Sequence, residues 1–271
     1  MLIEEFSYAD PNDPLYRKIG IRLVEMLTGQ PLLKKLYESY QALGLPHHVF
    51  FEEAIKLLEV DIRWHGNGRE SIPSSGPLIL VANHPYGVLD GLAICLLAIQ
   101  SRGDFKILIN SLLCRAPELQ SFVLPVDFSG SAEATKNNLA SRQAARTHLE
   151  SGGTLIVFPA GGISTTPTIF SREAKDDDWA PLVGQLVRRT RAAVVPVFFA
   201  GQNSYLFQIA SHLNYSLRIA LIFHEVKRRI GSHLDAVIGD SLSYDELEPH
   251  LPPANLARKL QAETHVLAKE L

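Results

Sequence analysis

Only two of the 271 residues are cysteine, and Cys95 and Cys114 sit in apolar or helix-like stretches without metal-ligand spacing. A disulfide framework or zinc site is therefore not the organising device, and a reducing compartment fits best. No apolar run reaches the roughly 20 residues of a membrane span; "GLAICLLAI" and "AAVVPVFFAG" have the lengths of strands or core helices. The amino-terminal "MLIEEFSYADPNDP" is acidic and lacks the basic and apolar regions of a secretion signal. With a net charge of −3 the chain also lacks the basic excess by which nucleic-acid binders concentrate phosphates. No "GxSxG" elbow occurs, which weakens a lipase reading. Repeats, low-complexity tracts and Pro/Gly/Ser-rich linkers are missing too. A soluble or peripheral cytosolic protein is the expectation.

What is present is enough apolar residue, 46% of the chain, to bury a sizeable core. Pro14 to Val60 carries apolar residues at helical spacing in "YRKIGIRLVEML" and "FFEEAIKLLEV", broken by "LGLPHH". Residues 1–60 are thus expected to form a helical region packed on the core or on a membrane, and residues 61–271 an α/β domain. From Pro77 onward β-prone runs alternate with helical ones. "PLILVAN" precedes "LDGLAICLLAIQ", "FKILIN" precedes "LLCRAPEL", and "FVLPVD" precedes Ser131 to Glu150. "TLIVFP" then precedes "APLVGQLVRRTR", and "AVVPVFFA" precedes "YLFQIASHL". The strands are apolar throughout rather than alternating, which predicts a mostly parallel or mixed sheet with helices on both faces. "LDAVIGDSL" is expected to add an edge strand before a helix near Leu256 to Leu271.

Ligands of open α/β sheets collect at the carboxyl ends of strands. There, in "LILVANHPYGVLDGLAICLL", Pro85 holds His84 extended at a strand end, Gly87 permits a turn, and Asp90 opens the next helix at or near its N-cap. A carboxylate returning to a neutral imidazole fixes its tautomer and leaves the other nitrogen to take a proton from a hydroxyl or amine. That is a general base with an orienter and no nucleophilic serine, so the substrate itself supplies the nucleophile. Each residue alone reads equally well as a helix cap or a turn histidine.

The block "NHPYGVLDG" (Asn83 to Gly91), followed by "VFPAGGISTTP" (Val157 to Pro167) and "AVVPVFFAG" (Ala193 to Gly201), resembles the glycerolipid acyltransferase superfamily, with its "NHxxxxD" and "FPEG" signatures. The likeness extends from about Asp61 to Leu242. Two departures, five residues between His84 and Asp90 and an alanine at 160, are similar to the branch often labelled hemolysins, which includes ornithine-lipid acyltransferases. A third is that no arginine follows Asp127, in "FVLPVDF" (Phe122 to Phe128, then Ser129 and Gly130), where lysophosphatidate enzymes grip a phosphate. Arg115, Lys136 or Arg172 could reach in from elsewhere in the chain.

The resemblance implies fatty acyl transfer from an acyl carrier protein or coenzyme A thioester to a lysolipid hydroxyl, of lyso-ornithine lipid, a similar aminolipid or a lysophospholipid. His84 and Asp90 are the expected catalytic pair. Asn83 and Gly87 shape the loop, and Phe158, Pro159, Gly161, Gly162, Ser164 and Thr165 line an acceptor or oxyanion pocket. No metal, bound cofactor or nucleic acid is expected, and the place of work is a membrane surface, the cytoplasmic face. "LVRRTR" and "EVKRRIG" are read as faces for anionic headgroups or acyl carrier protein, or as ordinary solvated helix faces; "EAKDDDW" is read as a solvated acidic loop. Two rivals stay open: a hydrolase using the same pair on water, and a lipid-binding protein without chemistry.

Overall fold

Strand β2 (Leu78–Ala82) has no side chain in contact with water, because it lies in the middle of a seven-stranded sheet covered on both faces. Leu78, Leu80 and Ala82 enter one hydrophobic core while Ile79 and Val81 enter another, which is why the run is continuously apolar. The computed structural model describes residues 14–110, 116–127 and 131–271.

The other strands are β1 (Asp61–Gly66), β3 (Lys106–Asn110), β4 (Val123–Val126), β5 (Thr154–Val157), β6 (Ala193–Phe199) and β7 (His233–Ile238). Across the sheet the order is β1-β7-β6-β2-β5-β3-β4. Neighbours are parallel except β6 and β7, so β1 and β7 run against the other five.

Helices α1 (Leu15–Thr28), α2 (Gln30–Gln41) and α3 (Phe50–Leu57) precede the sheet, and α4 (Val88–Arg102) follows β2. After β4 and β5 come α5 (Ala132–Glu150) and α6 (Leu182–Thr190). Then β6 leads into α7 (Tyr205–Leu213), α8 (Tyr215–Ala220) and α9 (Ile222–Arg229), and β7 into α10 (Tyr244–Leu247) and α11 (Pro253–Val266). The first core takes side chains from α3, α4, α7 and α9, the second from α5, α6 and α11. α3 enters through Phe51, whose ring lies 5.5 Å from both Phe105 and Phe122. The helical amino-terminal region therefore shares the core of the sheet, although α1 leaves Leu15, Tyr16, Ile19 and Leu23 exposed.

Two expectations are corrected. β7 is not an edge: its apolar residues are buried between β6 and β1, and the edge on that side is β1, whose "DIRWHG" exposes Asp61 and Arg63. A charged, half-exposed strand suits an edge and is hard to read as a strand at all. Of "LLCRAPEL", Pro117–Leu119 form one 3-10 turn capped by Ala116; the first four residues, including Cys114 and Arg115, fall outside the described residues, as do Phe128, Ser129 and Gly130.

Candidate active site

Where β2 ends, Asn83 turns its buried amide toward β6. Its Nδ2 donates to the Phe199 carbonyl at 2.9 Å, and the Phe199 N–H donates to its Oδ1 at 2.7 Å. Both polar directions of the side chain are thus committed to the fold, and Asn83 positions the next residue rather than lining an opening. His84 is held by its backbone: its N–H donates to Asp176 Oδ1 at 3.2 Å and its carbonyl accepts from Ser164 N–H at 2.8 Å. Pro85 then directs the chain outward, and Gly87, at φ 82°, makes the turn into α4. A side chain at Gly87 would run into Ile163, 2.6 Å from the Cβ position, so glycine is required for shape as well as torsion.

Asp90 lies in the first turn of α4, three residues past the Gly87 cap rather than at the cap itself. It is fully buried. Its Oδ2 accepts the N–H groups of Tyr86 (2.8 Å) and Gly87 (3.3 Å), and Oδ1 accepts that of Gly91 at 2.8 Å. Three amides and the positive end of the helix dipole together offset the cost of keeping a carboxylate out of water.

The same Oδ1 stands 3.1 Å from His84 Nδ1. The separation is that of a hydrogen bond, but the direction departs from a straight one, and buried Nδ1 has no aligned partner among the described residues. Such contacts tighten when substrate binds. The five intervening residues do not keep the pair apart. Phe158, at the end of β5, stacks on the imidazole with ring centroids 3.9 Å apart and planes 29° apart, fixing the ring plane and keeping water from that face. The His84 side chain is 17% exposed, and the open part is not the Nδ1 side.

The second loop is framed by internal bonds. Gly161 N–H donates to Phe158 O, Thr165 pairs with Lys175 in both directions, and Ser164 donates its hydroxyl to Asp176 Oδ1 at 2.5 Å. Ser164 is buried and Pro159 accepts from Ala180 N–H, so these residues brace the loop, and Gly161 and Gly162 are its more open members. Ala160 packs against the second core. Lys136 and Arg172 are exposed, with no contact to the pair.

Three residues here escaped the sequence reading. Asp176, from the acidic run given no role, receives the His84 N–H, the Ser164 hydroxyl and, on Oδ2, the Trp179 indole N–H at 3.0 Å. Tyr86 is buried beneath Gly201, whose φ of 96° and missing Cβ leave room for the phenol oxygen; the Arg229 guanidinium lies 4.8 Å from its ring. Burial pushes the phenol above its ordinary range, so it stays neutral. Arg218 of α8 donates from Nη2 to the Ile163 carbonyl at 2.7 Å. The "EVKRRIG" run is partly internal: Glu225 is buried, accepts the N–H and hydroxyl of Ser204, and pairs with Arg228 at 3.3 Å.

A histidine beside a buried carboxylate, at the carboxyl ends of the parallel strands β2 and β5, has the chemistry to take a proton from a bound hydroxyl. The family model described as "Acyltransferase" matches residues 17–250. The chain belongs to the acyltransferase family. This acyltransferase is 26% identical over 216 residues to a lyso-glycine lipid O-acyltransferase of Phocaeicola vulgatus, covering 77% of this chain and 74% of the relative. A lyso-glycine lipid O-acyltransferase of Bacteroides thetaiotaomicron is 28% identical over 193 residues, covering 69% and 66%. Among solved structures, the 1-acyl-sn-glycerophosphate (LPA) acyltransferase PlsC from Thermotoga maritima superposes with a TM-score of 0.53 at 16% identity, over 82% of this chain and 77% of that one, a likeness of fold. The glycerolipid acyltransferase superfamily indicated by the three sequence blocks is thus the correct one.

Proposed function

We propose that this acyltransferase moves a fatty acyl group from a thioester, on acyl carrier protein or coenzyme A, to the hydroxyl of a lyso-aminolipid lying in a membrane surface. The observation that carries the reading is the 3.1 Å approach of His84 Nδ1 to fully buried Asp90. With Nδ1–H held by Asp90, Nε2 takes the proton of the acceptor hydroxyl as its oxygen attacks the thioester carbonyl. The tetrahedral intermediate collapses, the C–S bond breaks, and the proton on Nε2 passes to the departing thiolate. Acyl ester and free thiol are the products; no covalent enzyme intermediate forms. Asp176, Ser164 and Asn83 hold the histidine backbone and loop, and Phe158 shields the ring.

An aminolipid acceptor is favoured over lysophosphatidate because both relatives are named for a lyso-glycine lipid and because no arginine follows Asp127 to hold a phosphate. The test is incubation with acyl carrier protein and coenzyme A thioesters and a panel of lyso-glycine lipid, lyso-ornithine lipid and lysophosphatidate, with products identified by mass spectrometry. Acylated aminolipid is expected. Free fatty acid alone, in the presence of every acceptor, would establish the hydrolase instead.

A further inference from the structure

A lysolipid whose chain lies in a bilayer has to reach His84 from the side on which the protein meets lipid. Among the described residues no helix is long and apolar enough to cross a membrane. Resting on the lysolipid reading, we propose that the protein docks on the lipid surface through the loop tip Ile169–Phe170 together with Tyr205, Leu206 and Leu213 of α7.

Phe170 is 86% exposed, and Ile169, Tyr205, Leu206 and Leu213 are exposed as well. Leu206 and Leu213, seven residues apart, lie on one exposed stripe of α7, flanked by the stripe that buries Phe207 and Ala210. The Tyr205 hydroxyl donates to the Ile169 carbonyl at 2.8 Å, so loop tip and helix form one surface. A phenol beside apolar residues, with exposed Arg172 two positions past Phe170, is the mixture found where proteins meet headgroups and acyl chains. Contiguous exposed apolar side chains rimmed by polar ones mark such sites.

Continuity with the chemistry is what selects a lipid surface as the occupant. The loop that ends in Phe170 begins with the segment bonded to His84: Ser164 N–H donates to the His84 carbonyl. α7 holds that segment through Gln208, which accepts the Thr166 N–H at 3.0 Å, and through His212, whose Nε2 lies 3.2 Å from Thr166 Oγ1. A lipid surface docked on Phe170 and Leu206 therefore lies against the elements that hold the loop framing the histidine.

The test compares the full chain with a Phe170→Asp/Leu206→Asp variant in co-sedimentation with phosphatidylcholine–phosphatidylglycerol vesicles. Leu139→Asp serves as control, on exposed α5 at the other face of the sheet. The double variant should lose vesicle affinity by at least about tenfold, as expected for two inserted side chains, and the control should match wild type. Transfer to acceptor embedded in vesicles should fall in parallel, while transfer to a short-chain acceptor below its micellar concentration stays within about twofold. Equal vesicle binding by all three proteins overturns the proposal. So does a wild-type dimer that becomes monomeric in the double variant without any vesicle dependence. If no acceptor is acylated by any form but vesicle binding depends on Phe170 and Leu206, the docking surface stands and the transferase reading falls.

Discussion

The two ends of the sheet are built on opposite rules. At the amino end, Arg102 closes α4 onto the strand starts. Its Nη1 donates to Pro73 O, Nη2 to Gly76 O and Gly152 O at 2.7 and 2.9 Å, and Nε to Thr154 Oγ1 at 3.1 Å. His148 donates from Nε2 toward Thr154 O at 3.0 Å and packs so closely on Gly153 that a Cβ there would stand 2.4 Å from it. At the carboxyl end, His84 Nδ1 lacks an aligned bond, and the buried amide atoms of Asn203 and Nε2 of Gln208 have no hydrogen-bond partner among the described residues. The amino end is densely cross-bonded, although buried Ser101 Oγ beside Arg102 has no partner among the described residues. The other holds polar groups in readiness, at a cost in stability that such groups carry wherever they are buried. The difference predicts that substitutions at the two ends separate activity from stability.

The largest effect expected is on turnover alone. His84→Ala should lower kcat/KM by about 10²–10⁴, the loss typical of a general base, with Tm within about 2 °C of wild type because the ring's stabilising contacts are few. Near-wild-type transfer would remove His84 from the mechanism. Asp90 belongs to both rules. Asp90→Asn can keep an acceptor for the Tyr86 and Gly87 amides but then turns its NH2 toward Gly91 N–H and His84 Nδ1, and it no longer holds an imidazolium by charge, so activity should fall at least about tenfold with modest destabilisation. Asp90→Ala should show the same activity loss and in addition about 1–2 kcal/mol lower stability by urea titration.

Arg102→Ala is the mirror experiment. Four hydrogen bonds at a partly exposed guanidinium are together worth about 2 kcal/mol after solvent screening, and for a chain of this size that lowers Tm by about 4–8 °C. The kcat of the folded fraction should not change. An activity loss in step with the Tm loss, measured well below Tm, would show that the two ends are coupled.

A smaller effect is expected of Asp176→Asn, which keeps the residue's size but weakens its grip on the His84 N–H and Ser164 hydroxyl. A drop of about tenfold in kcat with KM held is the signature of a mispositioned base; an unchanged kcat would reduce Asp176 to a loop brace.

The same contrast explains what could be read from the chain and what could not. β2, its turn and α4 were legible because Pro85, Gly87 and the apolar runs on either side act over a few residues. The meeting of His84 with Asp90 needed only local geometry as well. Asp176 was not legible: "DDDW" has the composition of a solvated loop, and only a contact across 92 residues, secured by buried Trp179, brings one of its carboxylates behind His84. The tryptophan was the available signal, an apolar anchor with an N–H three residues from an acid. Ser164 and Asn83 look like pocket residues by type, but Ser164 bonds to Asp176 across a 12-residue loop and Asn83 to Phe199 across 116 residues, pairings that residue type does not announce. β1 was hidden by its charges, and with it one edge of the sheet.

The finest test of the contrast is a pH dependence that belongs to the amino end alone. Burial is the main cause that pulls the His148 pKa below the ordinary imidazole value. The unfolded chain therefore binds a proton at His148 more readily than the folded one does, and stability rises with pH in that window. His148 contributes fully above the unfolded imidazole value of about 6.5, and its contribution is lost as pH falls through the folded value. His148→Gln keeps a donor for Thr154 O but cannot titrate. In urea titrations at pH values on either side of the unfolded imidazole range, wild type should lose more stability on acidification than the glutamine variant. Parallel losses in the two proteins would mean that the amino end does not respond to protons, and that the acid sensitivity of the fold resides elsewhere.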